Sequence, residues 1–118
     1  SKCVAVGASA GVRNNTKCVA VGANAALYIE GEGNVAIGMD AMNNYDVDGK
    51  NNICIGHLAK LHSKSTPAVI ENSIVIGYNV KASDSNQIII GSSSHTVVEI
   101  AGKRIIFNED GSVTWEQV

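Results

Sequence analysis

Six copies of one short unit fill most of the first 91 residues, and they constrain this chain more than any other feature. Each copy has a polar residue or Cys, a β-branched residue, a small or branched residue, a second β-branched residue and Gly. The copies span residues 3–7, 18–22, 34–38, 52–56, 73–77 and 87–91. Their glycines lie 15, 16, 18, 21 and 14 residues apart: Gly7, Gly22, Gly38, Gly56, Gly77 and Gly91. Self-similarity at such a period predicts a repeat fold.

The repeat length predicts the architecture. About 15 residues hold two short strands and two turns, which is one coil of a β-solenoid. The glycine after each strand permits a positive φ or a corner without a Cβ. Three residues later Ala10, Ala25, Ala41 and Ala59 predict a second short strand in a narrow space. We therefore predict an all-β fold, a parallel β-solenoid or β-roll of about six short coils over residues 1–95, with neighbouring coils about 4.8 Å apart.

Alternate residues of a strand face opposite sides, so each copy has two faces. The first face carries Val or Ile in every copy, and we predict that it is the buried core ladder of the solenoid. This core ladder consists of Val4, Val6, Val19, Val21, Val35, Ile37, Ile53, Ile55, Ile74, Ile76, Ile88 and Ile90. The second face carries Ala5, Ala20, Ala36, Cys54, Val75 and Ile89. Because it is too apolar for water along its whole length, we expect it to pack on sister chains in a homotrimer.

The repeat stops near residue 95, and a different pattern follows. Strand-like segments at residues 96–100, 104–107 and 112–115 are separated by turn sequences at 101–103 and 108–111. We predict a C-terminal β-meander over residues 96–118 that caps the open edge of the last coil. Phe107 and Trp115 are expected to cover the last apolar rungs.

Composition agrees with strands and argues against several classes of function. The chain of 118 residues has 27 Val and Ile but three Leu, which disfavours a helix bundle. The net charge of −2 comes without a basic patch, so we expect no nucleic-acid partner. No apolar run approaches about 18 residues, so we expect no membrane insertion.

The three cysteines raise a question of redox state. Cys3 and Cys18 hold the same ladder position one coil apart, within plausible reach of a disulfide. The odd number of cysteines argues against a closed disulfide framework. We expect free thiols that act as small hydrophobes, with a stacked disulfide as the alternative. The spacing C-x2-C, typical of metal sites, does not occur.

Candidate binding residues lie outside the ladders. Candidate receptor contacts are Tyr28, Tyr45, Tyr78 and His62. The three tyrosines are more simply explained as covering turns, and the histidine as a solvated residue of the long insert. The inserts at residues 45–50 and 61–69 map to loops on the outer side, where recognition is usual. On a threefold axis His57 or His95 could ligate a metal, but ordinary exposed histidines are the expectation.

An enzyme is the other class considered. The carboxylate pairs Asp46/Asp48 and Glu109/Asp110 fall in turn sequences, so we expect no glycosidase-like pair. Trimeric hexapeptide-repeat acyltransferases also carry Ile-Gly units, but glycine spacings of 15, 16 and 14 do not fit multiples of six. We predict no enzyme, no catalytic or metal site and no cofactor.

The unit at residues 34–41, Asn-Val-Ala-Ile-Gly-x-x-Ala, resembles the head repeats of the YadA-like trimeric autotransporter adhesins. It is also similar to repeats in bacteriophage tail fibres and tailspikes, and the resemblance covers residues 3–91. It implies a rigid homotrimeric β-roll that supports attachment to a host-cell surface glycan or protein. The segment 102–115 is similar to the meanders of phage fibres.

Cysteine usage favours the phage group. Autotransporter heads cross an oxidising periplasm and seldom carry Cys, whereas thiols persist in a reducing cytosol. The irregular inserts also depart from the even spacing of adhesin heads. We therefore expect a structural and adhesive fibre domain of a virion tail. The alternative is an autotransporter head on a bacterial outer surface.

Overall fold

The computed structural model describes residues 3–11, 15–43, 47–62 and 68–118, and the regular structure of these residues is all β. Fifteen strands follow one another: β1 Val4–Val6, β2 Asn15–Thr16, β3 Val19–Val21, β4 Gly31–Glu32, β5 Val35–Ile37, β6 Val47–Lys50, β7 Ile53–Ile55, β8 Lys60–Leu61, β9 Ala68–Glu71, β10 Ile74–Ile76, β11 Lys81–Ala82, β12 Ile88–Ile90, β13 Val97–Ile100, β14 Lys103–Phe107 and β15 Val113–Gln117. No helix long and apolar enough to cross a bilayer occurs in these described ranges.

The repeat copies stack as a six-stranded parallel sheet in the order β1-β3-β5-β7-β10-β12. The stacking is in register, so that Val4 pairs with Val19 and Ile74 pairs with Ile88. Each copy therefore lies on the equivalent residues of the next copy. This confirms the prediction of parallel stacked coils in an all-β solenoid.

Short strands that precede the repeat copies form the facing wall of the solenoid. The strand β2 pairs with β4, and β6 pairs with β9, both in parallel. The backbone N–H of Gly49 donates to the carbonyl of Glu30 at 3.1 Å and joins the two pairs. With four such strands among the described residues, the stack amounts to a solenoid of about four turns, where the repeat count predicted about six coils.

The Gly-x-x-Ala segments are tight turns rather than the second strands that we predicted. Gly22 shows the pattern: its carbonyl accepts a hydrogen bond from the N–H of Ala25 at 3.2 Å. The third turn position, Asn24, has φ +58°, a left-handed conformation that Asn and Asp tolerate better than most residues. Ala25 itself is fully buried. Among the described turns, a short strand follows directly only at β8 and β11.

The core of the chain is lined by the small residues of the repeat. Ala20, Ala36, Cys54 and Val75 are all fully buried. Larger side chains from the turns and the facing wall complete this core: Ile29, Met42, Leu61 and Ile70. The interior is narrow because tight turns join the two walls, so the space between them admits Ala and Cys in the early coils.

The predicted core ladder faces outward, and that prediction was wrong. Not one of its twelve residues is buried: Val4, Val6, Val19, Val21, Val35, Ile37, Ile53, Ile55, Ile74, Ile76, Ile88 and Ile90. The expectation that the small-residue face packs on sister chains was also wrong, because from Ala20 to Val75 this face is buried inside the single chain. The two faces are exchanged, because the width between the walls, and not hydrophobicity, decides which side chains fit inside.

A buried polar ladder accompanies the apolar core. Asn34, Asn52 and Ser73 are at most 1% exposed and stack on successive coils. The side-chain amide of Asn34 donates to the Gly49 carbonyl at 2.7 Å, and that of Asn52 donates to the Ile70 carbonyl at 2.7 Å. These bonds tie the repeat wall to the facing wall and satisfy groups that would otherwise be unpaired.

The C-terminal strands β13, β14 and β15 form a separate antiparallel sheet. In this sheet Ile105 pairs with both Val98 and Trp115. Trp115 is 68% exposed, and Ile88 and Ile90 of the last coil are similarly exposed. The expectation that Trp115 covers the last apolar rungs was therefore wrong, whereas Phe107 lines a cleft together with Ile90 of the last coil.

Candidate interaction surface

The outer face of the six-stranded sheet is an unpartnered apolar surface, which we call the Val/Ile face. It consists of two columns of side chains, one beginning at Val4 and one at Val6, repeated in register on six strands. Its members are β-branched, a choice that suits strands but not exposure to water. A sheet face that met solvent would alternate with polar residues instead. Contiguous apolar surface of this kind marks an interaction site.

Exposure varies along the Val/Ile face. The terminal strands are the most exposed, with Val4 at 57% and Ile88 at 69%. The central strands are less exposed, since neighbouring β-branched side chains cover one another; Ile37 is 38% exposed. The face is thus a continuous strip and not a set of scattered apolar residues.

An aromatic pair occupies one corner of the solenoid. His57 and Tyr78 follow the repeat glycines of two successive coils, and their rings meet edge to face with centroids 5.4 Å apart. Tyr78 is 60% exposed. Tyr78 was predicted from the sequence as a candidate receptor contact, but its pairing with His57 was not predicted. The signal was their shared position directly after Gly in adjacent copies.

The other candidate receptor residues in the described ranges, Tyr28 and His62, lie on different coils. Tyr28 is half-buried in the turn region of the second coil, and His62 is exposed directly after β8. Tyr45 lies outside the described residues. Among the described candidates, the structure brings Tyr78 together with His57.

A cleft of about 510 Å³ separates the last coil from the meander. Its lining residues are Ile90, Ser92, Ser93, His95, Thr96, Val98, Phe107, Asn108 and Glu109. The Nδ1 atom of His95 accepts a hydrogen bond from the Ser92 backbone N–H at 2.9 Å and lies 3.4 Å from the Ser92 hydroxyl. This contact closes a local turn, because the His95 N–H also donates to the Ser92 carbonyl.

The candidate carboxylates lie in different elements: Asp110 is in the turn between β14 and β15, whereas Asp48 is on strand β6, where a turn was expected. Asp110 accepts hydrogen bonds from both the hydroxyl and the backbone N–H of Ser112, and these bonds lower its pKa. Asp48 accepts from the Glu30 backbone N–H at 3.2 Å. Asp46 lies outside the described residues. Within the ranges that the structure describes, no three His, Cys, Asp or Glu side chains gather as a metal site would require.

The cysteines lie along the interior. Cys18 is 3% exposed and Cys54 is fully buried, and burial is the main cause that raises the pKa of each thiol to about 12. Cys3 is partly exposed, and its sulfur lies 2.6 Å from that of Cys18. The thiols of Cys18 and Cys54 are therefore protonated at neutral pH.

Comparison of this chain with protein-family models, curated proteins and solved structures finds no match. A function for this chain is therefore inferred from the repeat and from the surfaces described above.

Proposed function

We propose that this chain is a structural and adhesive domain of a homotrimeric fibre, in which three copies pack through their Val/Ile faces. The observation that carries the proposal is that all twelve Val and Ile side chains of the repeat lie on one outer face and none is buried. Burial of apolar area contributes roughly 25 cal/mol per Å², so a partner that covers this strip would stabilise each chain substantially.

The number three comes from the resemblance of the repeat to those of trimeric adhesins and phage fibres, and the shape of the chain is compatible with a closed assembly. The chain's extents of 47 × 30 × 19 Å and its radius of gyration of 15.5 Å describe a flattened body. A compact chain of this length has a radius of gyration of about 13.5 Å. A slab with one apolar long face reaches a closed assembly when that face turns toward a rotation axis, and no apolar edge is then left for further growth.

A phage tail fibre or tailspike is the kind of fibre that we favour. The support is the cysteine inside the solenoid: Cys54 fills a closed space between Ala36 and Val75. A thiol that serves as a small hydrophobe fits a chain that assembles in a reducing compartment.

The adhesive part of the proposal uses the corner formed by His57 and Tyr78. An exposed aromatic ring held by a second ring presents a rigid apolar surface, the kind on which host-surface sugars stack. Loops and turns on a rigid scaffold are common recognition sites. Tyr78→Ala is expected to reduce binding of the labelled protein to host cells without changing its mass in solution.

The first test is the absolute mass in solution, measured by light scattering, with an SDS gel of the unboiled protein. The proposal expects about three times the chain mass of 12.3 kDa. A stable, soluble monomer would refute the trimer.

Two variants locate the contact. Ile55→Lys places a charge in the middle of the Val/Ile face and is expected to yield folded monomers or unfolded chains. The matched control is Val69→Lys on β9, where the native side chain is 58% exposed on the facing wall, and this variant should keep the trimer mass. Loss of the trimer in the control but not in Ile55→Lys would place the interface on the other wall.

A further inference from the structure

We propose that Cys3 and Cys18 form a disulfide that links the first two coils when the chain meets a low-molecular-weight disulfide such as oxidised glutathione. This inference concerns a single chain and stands independently of the trimer. It assigns a covalent modification to two thiols that the structure places side by side.

The register of the sheet brings these residues together. Val4 pairs with Val19, and the Val4 N–H donates to the Cys18 carbonyl at 3.0 Å. Cys3 and Cys18, which come directly before the adjacent parallel strands β1 and β3, therefore stand one above the other, about 4.8 Å apart along the stack. Disulfides join Cα atoms roughly 4.4–6.8 Å apart, so the backbone already has the required spacing.

The sulfur atoms also face each other. They are 2.6 Å apart, and a disulfide bond is about 2.05 Å long. A small rotation of the two side chains closes the difference. The third cysteine, Cys54, has no such sulfur neighbour among its paired residues. It lies in the ladder of small residues, where it pairs with Ala36 and Val75.

A disulfide here would replace the hydrogen bonds that connect neighbouring coils elsewhere in the buried polar ladder. On the later coils the same ladder position carries Asn34, Asn52 and Ser73, which bridge neighbouring rungs through hydrogen bonds such as that from the Ser73 N–H to Asn52 Oδ1, 2.9 Å long. Thiols are weak hydrogen-bond donors and acceptors. A disulfide supplies at the first two rungs the connection between coils that amides supply at the others.

The reaction proceeds in two exchange steps. The thiolate of Cys3, which is partly exposed, attacks one sulfur of oxidised glutathione, and one glutathione thiolate leaves. Cys18 then loses its proton to solvent and attacks the Cys3 sulfur, and the second glutathione thiolate leaves. The two protein thiols are oxidised to one disulfide, and oxidised glutathione is reduced to two thiols. Because burial keeps Cys18 protonated, the second step should accelerate as the pH rises.

The test is thiol counting on the full chain after equilibration with oxidised glutathione. The protein is then unfolded in denaturant near neutral pH that already contains excess N-ethylmaleimide, so that free thiolates are alkylated before they exchange, and is weighed by mass spectrometry. We expect one label per chain, on Cys54, and three labels after treatment with dithiothreitol. Trypsin places the cysteines on separate peptides, residues 3–13, 18–50 and 51–60, so the non-reduced digest should contain 3–13 linked to 18–50.

Two single variants test which cysteines form the link. Cys54→Ser should keep the link and take no label, whereas Cys3→Ser should take two labels. Three labels on the oxidised wild type would overturn the proposal. So would a glutathione adduct that persists on Cys3 beside a free Cys18, or a Cys3–Cys3 link between chains.

Discussion

The backbone N–H of Asn52 donates a hydrogen bond of 3.1 Å to Oδ1 of Asn34, one coil earlier in the stack. The Asn52 side chain continues the connection, because its Oδ1 accepts from the Ser73 N–H and its Nδ2 donates to the Ile70 carbonyl. One fully buried amide thus joins three coils and both walls of the solenoid. Its role is to satisfy buried backbone groups that a side chain without polar atoms would leave unpaired.

Replacement of this amide should be costly. Asn52→Ala leaves the Ser73 N–H and the Ile70 carbonyl without their partner, and each unsatisfied buried group costs about 1–3 kcal/mol. We expect the free energy of unfolding in urea to fall by about 2–4 kcal/mol. The control is Asn108→Ala, whose amide bonds the exposed hydroxyls of Ser112 and Thr114 and whose loss should cost under about 1 kcal/mol. Equal losses would contradict this role for Asn52.

The repeat glycines are required by close approach of the coils. A Cβ at Gly22 would lie 2.6 Å from both the carbonyl carbon and the oxygen of Gly38, and Gly22 has φ +130°. Gly22→Ala should therefore destabilise the chain by more than about 3 kcal/mol, or prevent folding, because backbone strain and a clash add together. Gly111→Ala is the control, since φ is +88° there but a Cβ meets nothing within 4 Å. If both variants unfold at the same urea concentration, the clash has no role.

The interior should resist enlargement where the outer face does not. Ala36 is fully buried between Ala20 and Cys54, so Ala36→Val should lower the unfolding free energy by about 1–3 kcal/mol through overpacking. Val21→Ile adds a methyl group on the Val/Ile face and should change the stability of the isolated chain by less than about 0.5 kcal/mol. If Val21→Ile instead lowered the unfolding free energy more than Ala36→Val, the Val and Ile residues would be the interior ones.

These faces show what the sequence could and could not predict. The in-register stack followed from six similar copies, because a ladder needs only equivalent positions. The choice of the inner face did not follow, since Val35 and Ala36 are both apolar and strand alternation does not say which side is narrow. Residue size was the available signal: Ala20 and Ala36 fit between walls joined by tight turns. The His57–Tyr78 contact was missed although it follows from the same register, because both residues come directly after the repeat glycine of successive copies.

The hydrogen bonds of the Asp40 carboxylate should make the stability of the fold depend on pH. The carboxylate accepts a hydrogen bond from the Asn43 side chain at 2.9 Å, which is the main cause that lowers its pKa below 3.8, and a second from Asn24. A lowered pKa in the folded state means that this stabilisation is fully present above pH 3.8 and is lost as the pH falls through the folded value. An NMR titration of the Asp40 carboxyl carbon should therefore have its midpoint below 3.8.

Asp40→Asn provides the control for that titration. The variant removes the ionisable group, and Asn tolerates the left-handed φ of +57° at this position. The acid limb of its stability profile should be shallower than that of the wild type. A carboxyl midpoint at or above 3.8 would contradict the hydrogen-bonding argument.

The proposed disulfide should stabilise the chain by shortening the unfolded loop. It closes a loop of 15 residues, for which the chain-entropy model gives about 3 kcal/mol. Urea unfolding of the oxidised chain, compared with the same chain in dithiothreitol, should show this difference. In Cys18→Ser the two conditions should give the same unfolding curve, and a difference that persists there would point to another effect of the reductant.

The direction of the hydrogen bonds between rungs determines how such a rod carries force. Bonds such as that from the Gly38 N–H to the Val21 carbonyl, 2.7 Å long, run along the stack. A pull on the two ends loads them in tension, and every rung interface bears the full load with only its own few bonds. Because each coil contacts only its neighbours, the breaking force is that of the weakest interface. Further coils would lengthen the rod without making it stronger.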